Sequence, residues 1–311
     1  MNYLLLGGTG FLGSNLALAL ARGADNCITV TGRSTASFAP LQALGLEALR
    51  FVPSQMTPET DYESLVAGQD VVYHLVSTTV PATANQHIAQ ELTANVVSTA
   101  RLLDACVAQG VKRVVFLSSG GTVYGRCAAG PIPETAATDP ISSYGVQKLT
   151  IEKLLQLFHH MYGLDYRIVR LANPYGPYQR PNGVQGLVTN LTYRALRGET
   201  VQVFGDGSVV RDYLYVDDAV RGILNIAGDE PGERLYNLGS GEGTSILGVI
   251  AAIECVLGIR LPIEYRPARS VDVPVNVLDI RRYERRFGPL RPVSLETGIA
   301  HTADFLRRTY R

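Results

Sequence analysis

Seven residues near the start of the chain, Gly7-Gly8-Thr9-Gly10-Phe11-Leu12-Gly13, constrain its fold more than any other segment. They follow a short apolar run, Tyr3–Leu6, that reads as a buried strand, and precede Ser14–Arg22, rich in helix-forming Leu and Ala. Glycines at this spacing between a strand and a helix suit a phosphate-binding turn. The first permits the tight turn, the second lets the backbone approach a pyrophosphate, and the third lets helix and strand pack closely. Free N–H groups at the helix start then face the phosphates. In that reading Gly7, Gly10, Phe11, Leu12 and Gly13 hold a dinucleotide. The bland alternative is a strand–helix turn that binds nothing.

The alternation continues. Cys27–Thr31, Arg50–Val52, Asp70–Val76, Lys112–Ser118 and Tyr166–Leu171 read as strands, and Tyr62–Ala67, Glu91–Gln109 and Ser143–Tyr162 as helices. Strands alternating with helices predict an α/β fold with a parallel sheet covered on both faces. Residues 1–172 are expected to form the dinucleotide-binding part and 173–311 mainly a smaller substrate-binding lobe. A strand–helix unit within about 213–257 (Arg234–Leu238, then Thr244–Leu257) is expected to return to the main sheet, interleaving the two. Pro174–Gly186, with three Pro and three Gly, reads as irregular, and Leu187–Arg197 as a helix.

Composition removes several function classes. The 28 Lys+Arg balance 28 Asp+Glu, so no basic field exists to steer nucleic acid. No apolar run approaches the ~20 residues of a membrane span. The start, MNYLLLGGTG, lacks the basic segment of a signal peptide, and a cytoplasmic location is expected. Cys27, Cys106, Cys127 and Cys255 are widely spaced, and the five His form no metal-binding pair, so neither disulfides nor a metal is expected.

Two local patterns carry chemistry. The second strand ends Thr31-Gly32-Arg33, with no carboxylate to hold an adenosine 2′-OH. Arg33 would accommodate a 2′-phosphate, so NADP is expected to be tolerated or preferred, with NAD not excluded. A solvated Arg at a strand end is the alternative. Tyr144 and Lys148 form Y-x-x-x-K, which puts both on one helix face. An ammonium one turn from a phenol favours phenolate, so a lowered Tyr144 pKa is expected, suited to proton exchange with a substrate hydroxyl. Alone, such a pair is more often a solvated helix face.

Taken in order, Gly7–Gly13 (GGTGFLG), Asp70–Leu75 (DVVYHL), Ser118–Gly125 (SSGGTVYG), Ser143–Lys148 (SYGVQK), Arg170–Gly176 (RLANPYG), Arg211–Asp218 (RDYLYVDD) and Arg269–Pro274 (RSVDVP) span nearly the whole chain. Here the sequence resembles the extended short-chain dehydrogenase/reductases, specifically the NAD(P)-dependent sugar-nucleotide epimerase/dehydratase group and its UDP-glucose 4-epimerase-like members, often found among polysaccharide-synthesis enzymes. The resemblance implies a Rossmann-type doubly wound sheet with a C-terminal substrate lobe. It implies Tyr144 as acid/base and Lys148 as its partner, also reaching the nicotinamide ribose, with Leu75 beside the cofactor. Arg211 and Arg269 would meet the diphosphate of a nucleotide sugar, Asn173 would help hold the nucleotide, and Asp272 would lie near its ribose. The bland readings are an Arg211–Asp212 surface ion pair and a turn begun by Asn173 before Pro174. The reaction implied is inversion at C4 through a 4-keto sugar with no net redox change. A homodimer through a four-helix bundle is implied too, from Glu91–Gln109 and the Tyr144 helix; packing within one chain is the alternative.

The sequence departs from the family in places that bear on the reaction. Relatives usually carry Ser or Thr where this chain has Gly120. If the segment is extended, Thr122 faces the same side and is the first substitute, with Ser119 the second. Dehydratases need a carboxylate pair where Gly121 and Thr122 stand, so dehydration is not expected. Ser54-Gln55 replaces a Gly-Asp near adenine, and Asn276 stands where a bulky Tyr often limits the sugar, leaving room for an N-acetylhexosamine. The rival readings are an NADPH-consuming reductase of 4-keto-6-deoxy sugars and a non-catalytic dinucleotide-binding regulator.

Overall fold

The structure is a computed structural model of the 311-residue chain and describes residues 1–79, 84–127, 130–181, 185–230, 232–268 and 273–310. The first half runs β1 (Asn2–Leu6), α1 (Phe11–Leu20), β2 (Cys27–Gly32), α2 (Thr35–Gln42), β3 (Leu49–Pro53), α3 (Tyr62–Val66), β4 (Val71–His74), α4 (Ile88–Leu92), a π-helical turn (Thr93–Val97), α5 (Ser98–Ala108), β5 (Arg113–Ser119), α6 (Ser143–Tyr162) and β6 (Asp165–Leu171). There follow β7 (Asn173–Tyr175), α7 (Leu187–Leu196), β8 (Val201–Phe204), β9 (Val210–Tyr215), α8 (Val216–Ala227), β10 (Leu235–Leu238), β11 (Gly243–Ser245), α9 (Ile246–Leu257), β12 (Ile263–Arg266), β13 (Val275–Asn276), α10 (Arg281–Phe287) and α11 (Leu295–Thr309).

Side chains alternate across the strands and so fill two cores. Leu4, Leu6, Val114 and Phe116 face α3, α5 and α6, while Leu5, Val115 and Leu117 face the other side with Leu16 and Ile223. Strands apolar on both faces must be covered on both, which parallel connections through helices achieve. The seven-stranded sheet has the order β10-β6-β5-β4-β1-β2-β3, and each of its pairings is parallel. The order reverses beside β1, so the C-terminal ends of β1, β4 and β5 open a crevice there, where such sheets bind ligands. One of the two cores continues into the second lobe through Val188, Leu191, Val249, Ile253 and Ile299. Among the described residues no helix is long and apolar enough to cross a membrane.

Two expectations need correction and one needs refinement. Glu91–Gln109 is helical as expected, with αR backbone at each junction, but the run contains a π turn, where Thr99 Oγ1 donates to the Asn95 carbonyl at 2.5 Å. Apolar periodicity does not register a single inserted residue. Pro174 lies in a strand, β7, where a missing N–H is tolerated because, among the described residues, β7 pairs with β9 alone and so lies at an edge. Finally, β10 joins the main sheet beside β6, but α9 packs on α7 and α11; the helix against β6 and β10 is α8.

Candidate active site

The turn after β1 holds its glycines for three different reasons. Gly7 has φ +80°, and its N–H donates to Thr31 Oγ1 at 3.1 Å. A Cβ on Gly13 would lie 2.4 Å from the Gly7 carbonyl oxygen and 2.5 Å from Gly8 Cα, so only glycine lets α1 sit this close to β1. Gly10 is exposed, and a Cβ there would meet only the Gly7 oxygen, at 3.2 Å. No side chain caps α1 and its first turn carries no acid, so its N-terminal N–H groups suit an anion. Phe11 and Leu12 are half-buried in that turn, and Leu75 is half-buried just beyond β4, its N–H on the Leu6 carbonyl at 3.1 Å. These residues fit a dinucleotide pyrophosphate.

At the end of β2 any side chain at position 32 would have to displace Thr9 and Ser37. A Cβ on Gly32 would lie 2.3 Å from Thr9 Oγ1 and 2.9 Å from Ser37 Oγ. Arg33 is exposed beside the start of α2, whose N-cap residue Ser34 makes no side-chain cap.

Tyr144 and Lys148 lie in the first two turns of α6. Ser142 starts this helix by accepting the Gly145 N–H at 3.2 Å, and Gly163, at φ +73°, ends it. A Cβ on Gly145 would lie 2.8 Å from the Thr122 carbonyl oxygen, so this glycine lets the helix start press against the turn after β5. Lys148 is buried, donates from Nζ to the Leu117 carbonyl at 2.7 Å, and stands 5.6 Å from the centroid of the Tyr144 ring. The expected lowering of the Tyr144 pKa is not what this arrangement produces. Burial pushes the phenol up to about 12 and brings Lys148 down to about 8. The ammonium is held on a strand carbonyl, and desolvation is what raises the phenol.

The segment after β5 is a turn, not an extension of the strand: the N–H groups of Thr122 and Val123 both reach the Ser119 carbonyl, at 3.2 and 3.1 Å. The alternation that favoured Thr122 therefore does not hold. Thr122 and Ser119 are both half-buried, and Thr122 Oγ1 itself is buried without a hydrogen-bond partner. Gly120 packs against Leu278, with a Cβ at 120 falling 2.5 Å from Leu278 Cδ1.

The expected substrate residues gather on β7 and β9. Asn173 Nδ2 donates to the Asp212 carbonyl at 3.0 Å. Arg211 is half-buried, with Nη1 on the carbonyls of Val210 and Val273 at 2.9 and 2.7 Å. No Arg211–Asp212 ion pair forms. Asp212 is fully buried, and its carboxylate accepts the N–H groups of Ser240, Gly241 and Leu278 and the Ser240 hydroxyl. Arg269 and Asp272 lie outside the described residues. Asn276 does not border open space: it is 1% exposed, on β13 beside Arg211, and donates to the Gly120 carbonyl at 3.2 Å.

Sequence reasoning missed a polar network behind the Tyr–Lys pair. Ser143 and Gln147, one turn apart, both donate to Glu91 Oε2, at 2.6 and 3.0 Å. Asn95, in the π turn, links Gln147 to the Thr78 N–H, at 2.6 and 2.9 Å. These bonds tie the α6 start to α4 and to the segment after β4. The signal was Gln147 itself, a long polar residue inside Y-x-x-x-K on the helix side that turns inward.

The profile of the NAD dependent epimerase/dehydratase family matches residues 3–239. The chain belongs to this family. It is 33% identical over 310 residues to the UDP-glucose 4-epimerase of Mycolicibacterium smegmatis, with 99% of each chain covered. Among solved structures it resembles the UDP-glucose 4-epimerase of Thermotoga maritima with UDP-glucose, at TM-score 0.91 and 33% identity over the whole of both chains. It also resembles the UDP-glucuronic acid 4-epimerase of Bacillus cereus in complex with UDP-glucuronic acid and NAD, at TM-score 0.89 and 27% identity over the whole of both chains. As a family member the chain is an enzyme of the extended short-chain dehydrogenase/reductase type.

Proposed function

We propose that the chain is a nucleotide-sugar 4-epimerase acting on a UDP-hexose, or on its N-acetylated counterpart, by transient oxidation at C4. The observation that carries this reading is the Tyr144–Lys148 pair, pressed by α6 against the end of β5 beside the uncapped start of α1. A bound nicotinamide dinucleotide supplies the acceptor and donor of the C4 hydride. The glycine turn, with Phe11 and Leu12, holds its pyrophosphate, Leu75 lines the cofactor, and Lys148 meets the ribose. Tyr144 takes the proton of the sugar 4-OH and returns it after the sugar has turned. The 4-OH needs a hydrogen-bond partner from the turn Ser119–Thr122. Asn173, Arg211 and, beyond the described residues, Arg269 and Asp272 hold the nucleotide diphosphate. Residues 1–172 thus serve the cofactor and 173–311 mainly the substrate.

The crowding of Gly32 by Thr9 and Ser37, with Arg33 exposed beside it, favours NADP as a cofactor bound at least as well as NAD. That same feature favours the second reading, an NADPH-dependent reductase of 4-keto-6-deoxy sugars. A homodimer is also proposed: α6 exposes Val146, Leu157 and Met161, and the π turn exposes Val97, an apolar face suited to a second copy of α5 and α6. The test is a panel of nucleotide sugars followed by chromatography and mass spectrometry, with absorbance read at the NAD(P)H band. UDP-glucose/UDP-galactose interconversion without net absorbance change supports the epimerase. Stoichiometric NADPH loss on a keto sugar supports the reductase.

A further inference from the structure

A buried ionic group stands beside the Tyr144–Lys148 pair, and the reaction described above makes no use of it. Glu152 is 1% exposed and lies one helical turn beyond Lys148 on α6. Arg170, on β6, grips its carboxylate with two bonds, Nε to Oε1 at 3.0 Å and Nη2 to Oε2 at 2.7 Å. Ser118, on β5, donates from Oγ to the same Oε1 at 2.5 Å. Arg170 is held in turn. Its guanidinium lies over the Tyr124 ring, 4.8 Å from the centroid, and the Tyr124 hydroxyl donates to Asn237 Oδ1 at 2.6 Å. A buried ion pair gains little over an apolar replacement of the same volume, so stability alone is a weak reason for this one.

The group meets Lys148 through β5. Lys148 Nζ rests on the Leu117 carbonyl at 2.7 Å, and the next residue, Ser118, holds Glu152. The Phe116 ring lies under the same ammonium, 4.6 Å from its centroid. Lys148 faces Tyr144 and Glu152 on its own helix, His74 on β4 and, behind Glu152, Arg170 on β6. On the other elements against α6, Glu91 of α4 is engaged by Ser143 and Gln147, and Arg101 and Asp104 of α5 are exposed. Arg113, Asp165, Tyr166 and Arg167 lie at the opposite ends of β5 and β6. Burial, and then the Lys148 charge, bring His74 down to about 3, so it stays neutral. Burial also works against the ammonium, and the charge that favours it is that of Glu152. The ion pair acts on Lys148 as a fixed dipole, with its negative end on the helix of Lys148 and its positive end on β6.

We propose that Glu152 is a positioning residue: its carboxylate, fixed by Arg170 and Ser118, keeps the Lys148 ammonium charged through the neutral pH range and seated at the end of β5. Its part in turnover rests on the 4-epimerase reading, in which Lys148 serves Tyr144; its hold on Lys148 does not. Glu152 acts through Lys148 alone and touches no reacting atom. Because Arg170 and Ser118 fix the carboxylate in advance, the ammonium keeps its partner without any rearrangement when ligands arrive.

The test follows Lys148 by denaturant melts across pH, each background being compared with its own Lys148→Met derivative. In the unaltered chain the advantage of Met is constant at low pH and begins to shrink near pH 8, where Lys148 loses its proton. In Glu152→Gln/Arg170→Met, which removes both buried charges, that onset should fall about one pH unit lower. In Glu152→Gln alone, where Lys148 also faces an unpaired guanidinium, it should fall about two units lower. Glu152→Asp, which keeps the charge on a shorter arm, should melt below the unaltered chain yet leave the onset within about half a pH unit. In turnover of a UDP-hexose by the holoenzyme, the alkaline fall of kcat should move down in the same order. An onset unmoved in the double variant, or moved as far by Glu152→Asp, would make Glu152 a brace of the fold and overturn the proposal. An onset that moves while the alkaline limb of kcat stays put would overturn its part in turnover. An unaltered holoenzyme that turns over no UDP-hexose sinks the 4-epimerase reading, while the melts still decide what Glu152 does to Lys148.

Discussion

The turn after β1 and the turn after β5 are both glycine-rich, both end parallel strands of one sheet, and both open on the same crevice, yet their glycines do opposite things. After β1, Gly7 and Gly13 are demanded by backbone conformation and close packing, and Gly10 is exposed at the helix start, where a Cβ would meet the Gly7 carbonyl oxygen at 3.2 Å. Absence of side chains there is the binding feature. After β5, the space at Gly120 has been filled by Leu278 from the second lobe, while Gly121 borders Ser119. In the reading proposed above, one turn binds with its backbone, and the other, braced from outside by Leu278, faces the reacting sugar. A glycine count treats the two alike, and only the surroundings of each Cα separate them.

That contrast assigns chemistry to one turn and binding to the other, and the sharpest way to break it is at Tyr144. Tyr144→Phe is expected to lower kcat about 1000-fold while UDP-sugar affinity, read by calorimetry, stays within about threefold. A comparable loss in affinity would mean that the β5 side also binds.

The next effect lies in pH. Lys148 is brought down to about 8 by burial, from the ordinary lysine value of 10.5, so between those values the unfolded chain holds the extra proton. Stability then rises with pH across that window, by at most about 1.4 kcal/mol per pH unit for one proton, and the penalty of burying the ammonium is fully present below pH 8. Lys148→Met lacks this titration. Its stability advantage over the unaltered chain, from denaturant melts, should shrink as pH rises from 8 to 10.5; a constant difference would show that the ammonium is not desolvated.

Within the β1 turn, Gly13→Ala should destabilise by about 1–3 kcal/mol through overpacking. Gly10→Ala should cost up to about 1 kcal/mol, because its Cβ meets the Gly7 carbonyl oxygen at 3.2 Å, less than Gly13→Ala, yet weaken cofactor binding about tenfold. Thermal melts with and without dinucleotide separate the two. The smallest effect is expected across the β5 turn. Gly120→Ala should cost about 1 kcal/mol, largely recovered by Leu278→Val, while Gly121→Ala should be neutral within about 0.5 kcal/mol. Equal effects at 120 and 121 would erase the distinction drawn between them.

Much of this was legible in the sequence because it is local. The glycine spacing sits within one strand–helix turn, Tyr144 and Lys148 are one helical turn apart, and each of the seven main strands announces itself as a short apolar run. What was not legible depends on partners distant in the chain or on backbone direction. Nothing near Gly120 indicates that Leu278 would fill its place. Thr122 seemed to continue a strand because the two N–H groups that curl onto the Ser119 carbonyl have no side-chain signature. The bond from Lys148 Nζ to the Leu117 carbonyl was hidden too, because side chains are visible in a sequence and a carbonyl partner is not. Asp212 beside Arg211 suggested an ion pair, but neighbours on a strand face opposite sides, and the carboxylate turned inward to bind three N–H groups.

The position of β10 has a consequence for how the molecule is made. Strand β6 ends at Leu171, but its outer neighbour begins only at Leu235. During synthesis the first 171 residues emerge with β6 as a bare edge, and at about 5–20 residues per second it stays so for several seconds. For that interval its unpaired backbone groups are open to any other extended chain nearby. The nascent first half is therefore the stage most exposed to misassociation, and its protection comes from the very segment that detours through the substrate lobe before returning.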